Sequence, residues 1–473
     1  MKRTRKNRSL GNCVKLWLHP RRMKVLACGQ TQMYCLAVVI CMVIGFTMQI
    51  LFSQQRILPV YQDVVRFSTW SAEEQEVPSD MKTCQPKEHI MFLKTHKTAS
   101  STILNILHRY GDHHNLTFAL PIRYQFGYPY LFHSRRVKGF SPDRKQNYHI
   151  LCHHMRFNLL EVNKVMPKDS FFFSIIRDPV TMAESSFTYY KNASPAFKKV
   201  PSFEVFVDNP LMYYNPNKMN NHYARNMLSF DFGFDHNAQF NTTYAKRIVS
   251  NVERTFQLIL FSEYFDESLV LLKEALCWEL DDMVAFKLNF RSKDSVHTLS
   301  PQTVEKLKEW NALDWYLYMH FNRTFWQKVE QFGWERMREE VLQLQKKQQE
   351  LMKECLQGDK PVEANNIQDD SIRPFQYGQA KILGWVLKPD LDPLVKERCK
   401  RIITPELQYK DMLNVKQFPL SKHSVNPGSG TKLLLNQTVL LAGKEQGKHD
   451  SEMQTRLSQV NQDSNDQPNK AMR

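Results

Sequence analysis

Glycine and cysteine are scarce in this chain, 15 and 9 among 473 residues. So little glycine excludes a collagen-like repeat, and so few cysteines over this length exclude a disulfide-dense mini-protein. Disorder as the dominant state is excluded by composition, since 42% of residues are hydrophobic and 12% aromatic. The length admits one large domain or two ordinary ones. No internal repeat is found.

Acidic residues are absent from positions 1–32, which carry nine of the Lys and Arg residues behind a formal net charge of +16. Charge of either sign is absent from the next segment, Met33 to Phe52. About 20 apolar residues at about 1.5 Å rise each span a bilayer core of about 30 Å, so a transmembrane signal-anchor is expected there. A cleaved signal peptide would show a shorter basic lead and a small-residue cleavage site, which Thr47-Met48-Gln49 is not. The Lys/Arg asymmetry keeps the N-terminus cytoplasmic and sends everything after Phe52 to the lumen or outside, a type II topology. The basic tail then serves to orient the anchor, and no nucleic acid partner is needed to explain it.

On that topology Cys84, Cys152, Cys277, Cys355 and Cys399 enter an oxidising compartment. Their number is odd, so at least one is free or pairs between chains. The sequons at Asn115, Asn192, Asn241, Asn322 and Asn436 become candidate glycan sites, Asn192 being weakened by the nearby Pro195. Residues 53–87 are polar and read as a stem. Residues 88–419 hold enough apolar and aromatic content for a core, and 420–473 turn to Ser, Asn, Gln, Lys and Gly and are expected to be a largely disordered tail.

Within 88–419 short apolar runs alternate with helical patterns, which favours an α/β fold with a central parallel sheet flanked by helices. Strands are expected at 89–93, 148–151, 171–176 and 257–261, and a helix at 267–279. Apolar residues recur from Met337 to Cys355 at helical spacing; Gln348 interrupts the seam, favouring a helix packed on its own domain over a coiled coil.

Two loops carry the chemistry. The first runs Lys94-Thr95-His96-Lys97-Thr98-Ala99-Ser100-Ser101-Thr102 between a strand and a helix. Unpaired N–H groups and the positive helix end there suit phosphate or sulfate, although an ordinary turn with a serine cap would read the same way. It contains no glycine, so it is not the glycine-framed nucleotide loop of kinases. The second runs from the strand FFFSII into Arg177-Asp178-Pro179, with Ser185 further along. Asp178 and Pro179 are accounted for as helix cap and first helical residue; Arg177 is not, and together with Ser185 it can reach a second phosphate.

These segments resemble the two signatures of sulfotransferases that use 3′-phosphoadenosine 5′-phosphosulfate (PAPS). The closer resemblance is to the galactose 3-O-sulfotransferases, carried by FLKTHKTASSTILNIL, LCHHMRFN, IIRDPVTMAESSF, SEYFDESLVLLKEALCWELDD, KILGWVLKP and PELQY over about 88–419. It implies a P-loop-like domain on a type II Golgi membrane protein that sulfates the 3-hydroxyl of galactose on glycolipid or glycoprotein glycans. Lys94 and Lys97 to Thr102 would hold the 5′-phosphosulfate; Arg177 and Ser185 would hold the 3′-phosphate. Lys97 would offset charge on the bridging oxygen. A sugar hydroxyl needs a general base, for which His96, His153 and His154 are the candidates, the resemblance pointing to one of the last two. No metal is required by this chemistry, and Cys152-His153-His154 without a further ligand pair falls short of a zinc signature. Two other readings are kept: the same donor with another glycan acceptor, a uronic acid or hexosamine, and an anchored glycan-binding protein without catalysis. A homodimer is left open.

Overall fold

The computed structural model describes residues 84–419 apart from 144–145, 293–294, 297 and 379. The expected anchor, most of the stem, the C-terminal tail and Asn436 lie outside the described residues. No helix among the described residues is long and apolar enough to cross a membrane.

Four parallel strands form the centre: β1 (Ile90–Leu93), β2 (Ile150–Leu151), β3 (Phe171–Ile176) and β4 (Leu258–Phe261), in the order β2-β1-β3-β4. Every residue of all four is buried. This explains why they read as near-continuous apolar runs, broken only by Ser174, whose hydroxyl donates to the Leu93 carbonyl: both faces are covered by helices and no face is left to alternate with water. The expected second strand is trimmed because His149 bonds to Thr117 (2.8 Å) and only Ile150 and Leu151 register with β1.

The helices that matter for the site are α1 (Ser100–His113) after β1, α2 (Pro179–Tyr190) after β3, the short α3 (Met227–Asp231), and α4 (Phe265–Leu276) after β4. The last ends where Cys277 takes up a left-handed conformation (φ 56°) and pairs with Cys84. Further on, α5 (Ala312–Phe332) and α6 (Trp334–Cys355) follow each other. The apolar seam of α6 buries Met337 and Leu344, while its polar face ties back to α4 through Lys273–Glu340, so it packs on its own domain rather than forming a coiled coil.

A smaller apolar cluster around Phe286, Leu356, Ile367, Trp385 and Ile402 holds the C-terminal part. It contains the two-stranded ribbon β5 (Val362–Glu363) and β6 (Leu383–Gly384) and the helix α7 (Pro393–Ile403), which the Cys355–Cys399 disulfide fastens to the end of α6. The final helix, α8 (Glu406–Gln417), returns to pack on α1. Since β2 and β3 lie on opposite sides of β1, the chain reverses direction across the sheet between β1 and β3. Open α/β sheets bind ligands beyond the C-terminal strand ends at such a point.

Candidate active site

Both loops singled out in the sequence leave the sheet at that reversal. In the first, Lys97 and Ala99 adopt left-handed backbone (φ 61° and 62°) although neither is glycine. Left-handed residues alternating with ordinary ones curl successive N–H groups inward into a concave anion-binding nest. Each such residue costs about 1–3 kcal/mol and persists only where its surroundings enforce it. Here the enforcement is visible: Thr98 and Ser100 hydroxyls both donate to the Thr95 carbonyl (3.2 and 2.7 Å), and the Thr95 hydroxyl donates to the Ile175 carbonyl on β3. The residue before α1 is Ala99, and no side chain caps the helix. The serine-cap account of this turn therefore fails, and the first turn of α1 faces the cleft without a side-chain cap.

The second loop matches its reading. The Asp178 carboxylate accepts from the N–H groups of Val180 and Thr181 (2.8 and 2.9 Å), with Pro179 at the first helical position. That cap leaves Arg177 to cross to the other loop, donating to the Lys97 carbonyl (3.2 Å) and the Thr181 hydroxyl (3.1 Å). Arg177, Ser185, Lys94 and every residue from His96 to Thr102 line one cleft of about 710 Å³. The Lys97 ammonium sits 3.7 Å from the Tyr189 ring centre. Burial, then the charges of Arg177, Arg291 and Lys94, push its pKa down to about 7. The part of that shift that comes from Arg177, Arg291 and Lys94 marks several cations gathered around one cleft, which favours a polyanion.

The three candidate histidines part company. His96 and His154 line the cleft and stack with ring centroids 3.9 Å apart. His153 does not line it; it is wholly buried on the other side of the segment after β2, against His108 and Phe126. His154 Nδ1 lies 2.9 Å from the Lys94 carbonyl, which can only accept, so Nδ1 bears the proton and Nε2 accepts from the Lys94 ammonium at 2.7 Å. Burial, then His96 and Lys94, hold its pKa well below the usual histidine range. His96 Nδ1 lies 3.0 Å from both oxygens of Asp231, at the end of α3, so here too Nδ1 bears the proton; its Nε2 lone pair has no hydrogen-bond partner among the described residues. Asp231 is fully buried and also accepts from the His96 N–H (2.8 Å) and the Tyr128 hydroxyl (2.9 Å).

Residues 23–417 match the family profile described as Galactose-3-O-sulfotransferase. The chain is 51% identical over 339 residues to Galactose-3-O-sulfotransferase 2 of Sus scrofa, covering 71% of this chain and 85% of that protein. It is 41% identical over 452 residues to Galactose-3-O-sulfotransferase 4 of Homo sapiens (80% and 92% covered) and 44% identical over 331 residues to Galactosylceramide sulfotransferase of Homo sapiens (69% and 78% covered). The chain belongs to the galactose-3-O-sulfotransferase family.

The cleft also holds residues that the sequence alone did not single out. Glu406, in the PELQY segment, meets the Lys94 ammonium at 3.0 Å and accepts from the Ser101 hydroxyl at 3.2 Å, joining α8 to the first loop. Arg291 enters the cleft wall paired with Glu184 of α2. Tyr124, Tyr189, Tyr190, Tyr223 and Tyr377 give one side of the cleft an aromatic lining. PELQY itself was a signal for Glu406; nothing local marks Asp231 or Arg291. Away from the cleft, Asn115, Asn192 and Asn241 are exposed, as a glycan site must be. Asn322 is half-buried in the middle of α5 with its side-chain oxygen enclosed, a poor acceptor position.

Proposed function

We propose that this sulfotransferase moves the sulfuryl group of PAPS to the 3-hydroxyl of galactose on a glycolipid or glycoprotein glycan. His96, oriented by Asp231, would be the general base. PAPS supplies an activated sulfuryl group on a phosphate leaving group, and the transfer is an in-line displacement with a loose transition state, so the protein's work is positioning and charge stabilisation. The 5′ end suits the nest of residues 97–102 at the start of α1, with Lys97 offsetting charge that builds on the bridging oxygen. The 3′-phosphate suits Arg177 and Ser185.

The observation that carries the base assignment is the tautomer pair. His96 keeps an unengaged Nε2 lone pair with Nδ1–H on a buried carboxylate, the arrangement that makes imidazole a base and stabilises the imidazolium formed. His154 has both nitrogens engaged, one by a cation, and better serves to hold Lys94. The tyrosine lining gives the sugar's apolar face something to stack on.

In the same reading residues 33–52 anchor the chain in the Golgi membrane with the described domain in the lumen. Two disulfides, Cys84–Cys277 and Cys355–Cys399, support an oxidising compartment. The test is labelled PAPS with galactosylceramide, lactose, terminal β-galactosides and a heparan acceptor. Label at galactose O3, lost in Lys97→Ala, supports the reading and the preferred acceptor names the substrate. Binding of PAPS without labelling of any galactoside would sink the acceptor assignment.

A further inference from the structure

Behind the cleft, three side chains that the sulfuryl-transfer mechanism does not use converge: His108 from the middle of α1, and Cys152 and His153 from the segment after β2. All three are completely buried. One ligand atom from each lies within 4.8 Å of the others. The four ring nitrogens of His108 and His153 have no hydrogen-bond partner among the described residues. Cys152 is the one described cysteine outside the two disulfides. Buried polar groups are almost always paired, so two neighbouring imidazoles with every nitrogen orphaned need an explanation.

Ordinary packing is a weak one, because Leu or Phe would fill the same space without the desolvation cost of an imidazole. The sequence around Cys152 lacked a further ligand; the fold brings it from α1, 44 residues upstream of Cys152. We propose that His108, Cys152 and His153 bind one zinc ion. One thiolate and two imidazoles are borderline-soft donors of the kind zinc takes, and small inward shifts of the three side chains bring them to ligand separations. On binding, the Cys152 thiol gives up its proton to solvent and its sulfur donates the electron pair to the metal, with no change of oxidation state. Burial otherwise holds that thiol protonated, its pKa pushed well above the usual range. The nearby cations are already matched: Lys94 by Glu406 (3.0 Å) and Lys410 by Asp411 (2.9 Å). Because no ligand is exposed, the ion is captured during folding. Its effect is to clamp α1, whose first turn faces the donor site, to the segment that carries His154 into the cleft.

The full-length chain, without a polyhistidine tag, is expressed in zinc-supplemented medium, and its metals are quantified after gel filtration in a mild chelator. About one zinc per chain is expected, falling to a few per cent in folded Cys152→Ser and His108→Leu. X-ray absorption at the zinc edge of the wild-type chain should show one sulfur and two imidazoles among the protein ligands, with at most one further light atom, and this reading stands even if neither variant folds. Wild-type protein that binds PAPS yet holds under a tenth of an equivalent of zinc overturns the proposal. So does zinc retained unchanged in the folded variants, a different ligand set, or another metal in the site.

Discussion

The imidazole of His96 lies 3.9 Å from that of His154, nearly parallel, yet their hydrogen bonds give the two rings opposite capacities. The buried Asp231 carboxylate fixes the proton of His96 on Nδ1 and leaves Nε2 basic, whereas Lys94 occupies both nitrogens of its neighbour. Replacement of His96 by Asn should therefore lower kcat by about 100-fold to 10,000-fold while leaving the dissociation constant for the desulfated nucleotide within about threefold. Asp231→Asn, which permits the wrong tautomer, should fall in the same range. Steady-state kinetics with calorimetric binding of the nucleotide checks both. A weak kcat effect at His96 with a strong one in His154→Asn would reverse the assignment.

If Lys97 holds the donor as proposed, affinity should depend on pH in a defined direction. In the free protein its ammonium is held down to about 7, first by burial and then by Arg177, Arg291 and Lys94. A bound polyanion favours the charged form and raises that pKa. Below about 7 the lysine is protonated in both states and affinity is flat with respect to this group. Above about 7 binding must first take up a proton, so affinity falls, by up to about tenfold per pH unit, until the bound-state pKa is reached. Titration of the desulfated nucleotide from about pH 7 upward, where its own phosphates are ionised, should show the fall together with proton uptake in buffers of different ionisation heat. Lys97→Arg, which stays charged, should abolish the slope. A wild-type profile as flat as the arginine variant's would show that Lys97 is not titrating there.

Local chemistry was legible in the sequence because it is written in contiguous residues. The strand Phe171–Ile176 is found at its expected limits, and the roles of Asp178 and Pro179 follow from their positions before α2. What was not legible is what the fold joins over distance. Asp231 reaches His96 across 135 positions, and Arg291 pairs with Glu184 across 107. His153 and His154 are adjacent at a bend just after β2 and their side chains go to opposite sides of the segment, so spacing alone left both as candidates and only packing separates them. The odd cysteine count required a thiol that is free or paired between chains, but pairings over separations of 193 and 44 residues, and hence the identity of Cys152 as the one left over, came from the structure.

Arg177 should read the 3′-phosphate specifically. Its guanidinium is anchored by the Thr181 hydroxyl and the Lys97 carbonyl, which uses two of its five N–H groups and leaves others for a ligand. Arg177→Ala should weaken 3′,5′-bisphosphoadenosine binding by about 1.5–3 kcal/mol, or about 10-fold to 150-fold, as expected for a lost charge-assisted hydrogen bond. Adenosine 5′-monophosphate, which lacks the 3′ group, should lose far less. Competition titrations of the two nucleotides on both proteins test this. Equal losses for both would place Arg177 at the 5′ end instead.

The Cys355–Cys399 disulfide closes a loop of 44 residues whose members Ile372, Pro374, Phe375, Tyr377, Leu383 and Gly384 form one wall of the cleft. Closing a loop of that length removes about 4 kcal/mol of entropy from the unfolded chain in the chain-entropy account, so Cys355→Ala with Cys399→Ala should lower stability by about 2–5 kcal/mol. The strands β1 and β3 from which the two loops leave belong to the larger apolar core rather than to the cluster this disulfide braces. In protein that remains folded the loss should therefore fall on KM, with kcat within about threefold. Thermal unfolding combined with initial-rate kinetics at saturating donor measures both quantities. A collapse of kcat at unchanged KM would mean that this wall acts on the transition state rather than on binding.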